Sequence, residues 1–108
     1  MSPSSGLGNV LSLMARLILQ TAEGQQAIDL RPVNSLVRHP NNSIQLLDKI
    51  VSKEHCIIER RPNGFTLRDL GSLNGTYVNG ERVHEITRLT DRCIIGCGPR
   101  VRLRLDEE

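Results

Sequence analysis

The chain has 108 residues, 38% of them hydrophobic, which suits one domain with one core and not two. Fourteen basic residues stand against 12 acidic ones; a net charge of +2 is too weak for nucleic-acid binding by bulk charge. Phe65 and Tyr77 are the only aromatics, which removes a stacking platform for single strands.

Met1 to Asn9, "MSPSSGLGN", is rich in Ser, Gly and Pro. With the residues up to Met14 it reads as a flexible arm or a linker from a longer protein. The folded domain is expected over 15–105, with a short acidic end at 106–108. Val10 to Leu19 is the most apolar stretch, but Arg16 interrupts it and it is too short to span a membrane. It lacks the basic front and the small-residue cleavage site of a signal peptide.

Strand signals dominate the rest. "ARLILQT" (15–21) is a first strand, "AEGQQ" a turn and "AIDL" (27–30) its return. "NSLVR" (34–38) is a third strand, "HPNN" (39–42) a Pro-Asn turn, and "SIQL" (43–46) a short extended piece. "HCIIER" (55–60) and "FTLRDL" (65–70) flank "RPNG", a hairpin signal. "TYV" (76–78) and "ERV" (81–83) flank Asn79-Gly80, a two-residue hairpin turn. "CII" (93–95) precedes Gly96, and "RVRLRL" (100–105) alternates, Val101, Leu103 and Leu105 inward, Arg100, Arg102 and Arg104 outward. About ten short strands with regular turns indicate an all-β sandwich whose loops gather at its ends. Loops at the end of a rigid scaffold are where binding sites sit.

Cys56, Cys93 and Cys97 form an odd set without a signal peptide, which places reduced thiols in an intracellular compartment, cytoplasmic or nuclear. Cys93 and Cys97 do not have the spacing of a zinc half-site, so no metal and no cofactor are expected. Ser52, His55 and Asp48 or Asp69 could be drawn as a hydrolase triad, but no nucleophile elbow is present and no catalytic residue is assigned.

Three stretches remain: Arg38 before a Pro-Asn turn, "VSKEHC" (51–56), and "GSLNGTYVNGERV" (71–83) with two Asn-Gly units. The order Arg38, then Ser52 and His55, then Gly71-Ser72 with Asn74-Gly75-Thr76, then Val78-Asn79-Gly80 resembles the forkhead-associated (FHA) family. "LTDRCIIG" (89–96) is similar to that family's strand entry. The resemblance spans about residues 15–105.

It implies a sandwich of two mostly antiparallel sheets with about eleven strands, which binds phosphothreonine peptides through loops at one end. It assigns the phosphate to Arg38, Ser52 and Lys53, and the peptide backbone to Asn74. His55, Gly71, Gly75, Thr76, Asn79 and Gly80 become loop builders. The chemistry suits the assignment. A phosphothreonine carries a charge of about −1.5 to −2 and three strong acceptors, and a guanidinium fork meets two oxygens at once.

Two positions depart from the pattern. Val37 stands where the family has Gly, and Leu73 where many members carry Ser or Thr. The missing hydroxyl is expected to remove one charge-assisted hydrogen bond, worth about 1.5–3 kcal/mol. The implied partner is a threonine-phosphorylated protein, with no nucleic acid and no membrane, and the domain is expected within a longer multidomain protein. The alternative is a degenerate interaction domain of the same fold that binds a partner independently of phosphate.

Overall fold

The computed structural model describes residues 15–21, 24–38, 44–46, 50–99 and 101–107. The arm at 1–14, the "HPNN" turn and Arg100 lie outside the described residues. Eleven strands follow in chain order: β1 Ala15–Thr21, β2 Gly24–Asp29, β3 Val33–Val37, β4 Ile44–Gln45, β5 Cys56–Arg61, β6 Gly64–Asp69, β7 Thr76–Val78, β8 Glu81–Arg82, β9 Thr87–Leu89, β10 Ile94–Cys97 and β11 Val101–Glu107. They form a six-stranded sheet in the order β2-β1-β11-β10-β7-β8 and a five-stranded sheet in the order β4-β3-β5-β6-β9. Among the described strands β3–β4 is the parallel pair, with Leu36 opposite Ile44; every other pair is antiparallel.

The two sheets close on one aliphatic core. Leu17, Ile95, Leu103 and Leu105 come from the larger sheet, and Leu36, Ile58, Phe65 and Leu67 from the smaller; all are essentially buried. The alternation of β11 holds: Leu103 and Leu105 are buried, Val101 and Arg104 half-buried, Arg102 exposed. All three cysteines are free and buried. They act as small apolar fillers of the core.

Most expected strands match within one or two residues. Three readings need correction: where β2 begins, where β10 lies and where β11 ends. The return strand begins at Gly24, not Ala27, because Thr21 already pairs with Gly24. Gln25 and Gln26 are exposed and carry no hydrophobic pattern, so the sequence hides the start of β2. β9 had no expectation: only Leu89 of its three residues is buried, and it is set by pairing with β6. The strand expected at 93–95 runs instead from Ile94 through Gly96 to Cys97, with Tyr77 opposite Gly96. β11 carries Asp106 and Glu107 on into the ladder with β1.

The turn at Asn79-Gly80 has the form its residues demand. Both have positive φ, 52° and 87°, between the paired Val78 and Glu81. Asn79 does more: its side-chain Oδ1 accepts from the Ile94 N–H at 2.9 Å, and its backbone N–H donates to the Ile94 carbonyl at 2.8 Å. The hairpin is thereby fastened to β10.

Candidate functional site

The site is built where β3 ends. Val37 turns its side chain into the core, and its carbonyl accepts the Leu46 N–H at 2.6 Å. The next residue, Arg38, is half-buried; its N–H donates to the Ser52 carbonyl at 3.3 Å, and Gln45 Nε2 donates to its carbonyl at 3.3 Å. The segment from Ile50 to His55 is therefore laid over the end of β3. Arg38 Nε is the one buried side-chain polar atom without a hydrogen-bond partner among the described residues. Such orphans are rare in native folds and call for an explanation.

His55 joins two loops. Its ring is fully buried. Nδ1 accepts the Ser52 N–H at 3.1 Å, which leaves the ring hydrogen on Nε2, 2.8 Å from the Gly75 carbonyl. Both ring nitrogens are thus committed to backbone. The Ser52 hydroxyl does not meet the ring; its Oγ accepts the Leu73 N–H at 3.0 Å. No hydroxyl–imidazole–carboxylate relay is assembled from these residues.

The second loop is held on Asp69, at the end of β6. Its Oδ2 accepts from the Gly71 and Ser72 N–H groups at 2.8 and 3.0 Å. Its Oδ1 accepts the hydroxyls of Ser72 at 2.5 Å and Thr76 at 2.6 Å. Burial pushes the Asp69 carboxyl upward, but these hydrogen bonds from Ser72, Thr76 and the Ser72 and Gly71 backbone outweigh it and hold it below its ordinary value. Asp69, which the sequence offered only as a possible triad acid, is the residue that builds this loop. Its signal was an Asp three residues before Ser72 and seven before Thr76, a spacing that lets one carboxylate cap a whole loop.

Gly75 needs to be glycine. Its φ is +85°, and a Cβ there would stand 3.0 Å from Arg82 Nε. Its carbonyl also accepts the Gly98 N–H at 2.9 Å, which ties the loop to the end of β10. Asn74 Nδ2 donates to the Ile50 carbonyl at 2.7 Å and orients the amide. Its Oδ1 enters no hydrogen bond among the described residues. Leu73 stands 85% exposed beside it.

The structure thus brings Arg38, Ser52, His55, Asn74 and Gly75 together at one end of the sandwich, linked loop to loop. Lys53 is exposed next to Ser52 and forms no ion pair among the described residues. Gly71 and Thr76 lie in the loop and strand capped by Asp69. Asn79 and Gly80 form the hairpin behind them.

Both the sequence and the fold have known counterparts. The sequence model of the FHA domain matches residues 38–98. The chain is 34% identical over 96 residues to the oxoglutarate dehydrogenase inhibitor of Corynebacterium glutamicum, covering 86% of the chain and 67% of that protein. It is 43% identical over 67 residues to the inhibitor of the same name from Corynebacterium diphtheriae, covering 61% of the chain and 47% of that protein, so it spans about half of that relative's length. A structure solved in a study of phosphothreonine-dependent FHA domain interactions superposes with a TM-score of 0.79 at 28% identity, over 88% of this chain and 97% of its own.

Proposed function

The chain belongs to the FHA-domain family, and from that premise we propose that it reads phosphothreonine in a partner protein inside the cell. The observation that carries this reading is Arg38, whose buried Nε lacks a partner at the end of β3. A phosphate oxygen is the acceptor that its fork would meet. The Ser52 hydroxyl accepts from Leu73 and keeps its own hydrogen to donate. Lys53 adds an exposed cation beside it. Asn74, held by Ile50, offers Oδ1 to a ligand backbone N–H. His55, Gly71, Gly75, Thr76, Asn79 and Gly80 hold the loops that present these groups.

The module acts by binding. Preference for threonine over serine rests on one methyl group, worth about 1–3 kcal/mol. The structural relative studied for phosphothreonine-dependent interactions supports it. The corynebacterial relatives are named for inhibiting an enzyme, which supports a protein partner. A second reading keeps the fold and dispenses with phosphate; it is favoured by Leu73, a large apolar side chain held out at the loop tip.

The test is a chemical-shift titration with degenerate phosphothreonine, phosphoserine and unphosphorylated peptide pools. Shifts at Arg38, Ser52, Lys53 and Asn74 with the phosphothreonine pool, lost in Arg38→Ala with the fold intact, are expected. Equal binding by the wild type and Arg38→Ala, or silence at those residues at millimolar peptide, would overturn the phosphate reading.

A further inference from the structure

Among the described residues the two sheets have four unequal edges. β4 and β8 have two residues each and β9 has three, too short to template another strand. β2 has six, Gly24–Asp29, nearly all exposed. Sheet edges are ordinarily blunted by Lys, Pro, a bulge or shortness. β2 has no Lys or Pro, and its one charge, Asp29, is already paired with Arg16 at 3.1 Å.

The register says which groups are on offer. The Leu30 N–H donates to the Ala15 carbonyl, and Arg16 stands opposite Asp29. By the alternation of an antiparallel ladder, the even residues of β2 then turn their N–H and C=O toward β1. Gln25, Ala27 and Asp29 turn theirs outward. Their side chains share the outer face of the sheet, where Ala27 lies opposite Ile18. Next to them runs a shallow cavity of about 400 Å³ lined by Ile18, Gln25, Ile94 and Leu103.

We propose that the β2 edge is a pairing surface for a second copy of this chain, joined antiparallel about a two-fold axis through Ala27. The argument is self-complementarity. In that register Ala27 meets Ala27 of the other copy, and Gln25 meets Asp29. All outward N–H and C=O groups of Gln25, Ala27 and Asp29 on both copies are satisfied at once. Each Gln25 amide faces an Asp29 carboxylate, so no like charges oppose. The outer faces become continuous, with Ile18 and Ala27 of the two copies side by side. An unrelated strand could use the same donors, but it would need that charge pattern by accident; a second copy has it by symmetry. The contact is short, well below the roughly 1,200 Å² of a stable interface. Association is therefore weak and depends on concentration. The inference is independent of phosphate reading.

Sedimentation velocity of the whole chain, from micromolar to millimolar, tests it. The wild type should pass from monomer to dimer. Gln25→Lys places a cation opposite Asp29 twice and should tighten the dimer; Gln25→Glu places two anions there and should loosen it, each by about 2- to 30-fold. Ala27→Pro removes the central outward N–H, leaves the ladder to β1 intact, and should abolish the dimer. The Ala27 amide should exchange more slowly with solvent as protein concentration rises. A wild type that stays monomeric throughout overturns the proposal. So does a dimer equally strong in Gln25→Lys and Gln25→Glu, which would place the contact elsewhere. The Gln25 pair keeps this comparison even if Ala27→Pro fails to fold.

Discussion

Replacing His55 by Ala tests whether the two binding loops share one brace. The imidazole is fully buried between the Ser52 N–H and the Gly75 carbonyl. Each buried polar group left unpaired costs about 1–3 kcal/mol. The two losses are not equal. Gly75 keeps the Gly98 N–H, so its carbonyl loses only its second partner. Ser52 N–H loses its ring acceptor, and the ring volume becomes a cavity. The total is about 2–4 kcal/mol, the larger share from Ser52 and the cavity. At roughly 4–8 °C per kcal/mol, a loss of ~2 kcal/mol lowers the melting temperature by about 8–16 °C. Urea unfolding followed by far-ultraviolet circular dichroism gives the free energy, with the slope expected to match the wild type. Amide exchange at Ser52 and Leu73 should quicken more than at Leu17 or Leu103. A midpoint within experimental error of the wild type would remove His55 as a brace, whatever its effect on ligand binding.

Asn74→Ala should weaken a bound phosphopeptide by about 1–3 kcal/mol through lost backbone hydrogen bonds, and an unchanged dissociation constant by calorimetry would take Asn74 out of the site. Asp69 has a folded pKa lowered below its ordinary value, so its contribution to stability is full above about pH 4 and is lost as pH falls through the lowered value. Asp69→Asn should therefore be less stable than the wild type at neutral pH, with the gap narrowing below about pH 4; a gap independent of pH would contradict the capping role. Leu73→Thr should tighten phosphopeptide binding by supplying a hydroxyl beside Asn74, and equal affinities would show that this position does not reach the phosphate. The Cys56 thiol, pushed well above its ordinary value by its hydrogen bond with Cys97 and by burial, and Cys93, raised by burial, should resist a thiol reagent until the protein is denatured. Rapid labelling of native protein at mildly alkaline pH would contradict their burial.

The sandwich was legible because its strongest signals are local. Asn79-Gly80 fixes a hairpin whatever surrounds it, and the alternation of 101–105 fixes which face of β11 is wet. β9 was not legible, since a three-residue strand is decided by the partner it meets, here β6. At the site, Arg38, Ser52, His55 and Asn74 were singled out by type and order, and the structure brings them to one end of the sandwich. The acid that caps the second loop was not. Asp69 reads as a strand-end acid, and its four hydrogen bonds exist only once Gly71, Ser72 and Thr76 fold back over it. The role of Asn79 was half legible: the turn was read, the clasp on Ile94 was not.

The two departures from the family pattern bear on different parts of the site. Val37 adds a Cβ where the pattern has none, which would matter if it entered the recognition surface. It points instead into the core, essentially buried, and the contact it makes toward the loops is through its carbonyl to Leu46. The position of Arg38 is then set by backbone, from Val37 to Leu46 and from Arg38 to Ser52, and the extra methyls are absorbed as packing. Leu73 is the reverse case. Its side chain is outside, but the atom that fixes the loop is its N–H, donated to Ser52 Oγ, and any residue other than proline supplies that. The frame that aligns Arg38, Ser52 and Asn74 is therefore independent of both departures, and what Leu73 changes is confined to the groups a ligand would touch. In the proposed reading, loss of phosphate affinity and loss of the fold become separable quantities at this end of the sandwich, which is why Leu73→Thr and His55→Ala should move different observables.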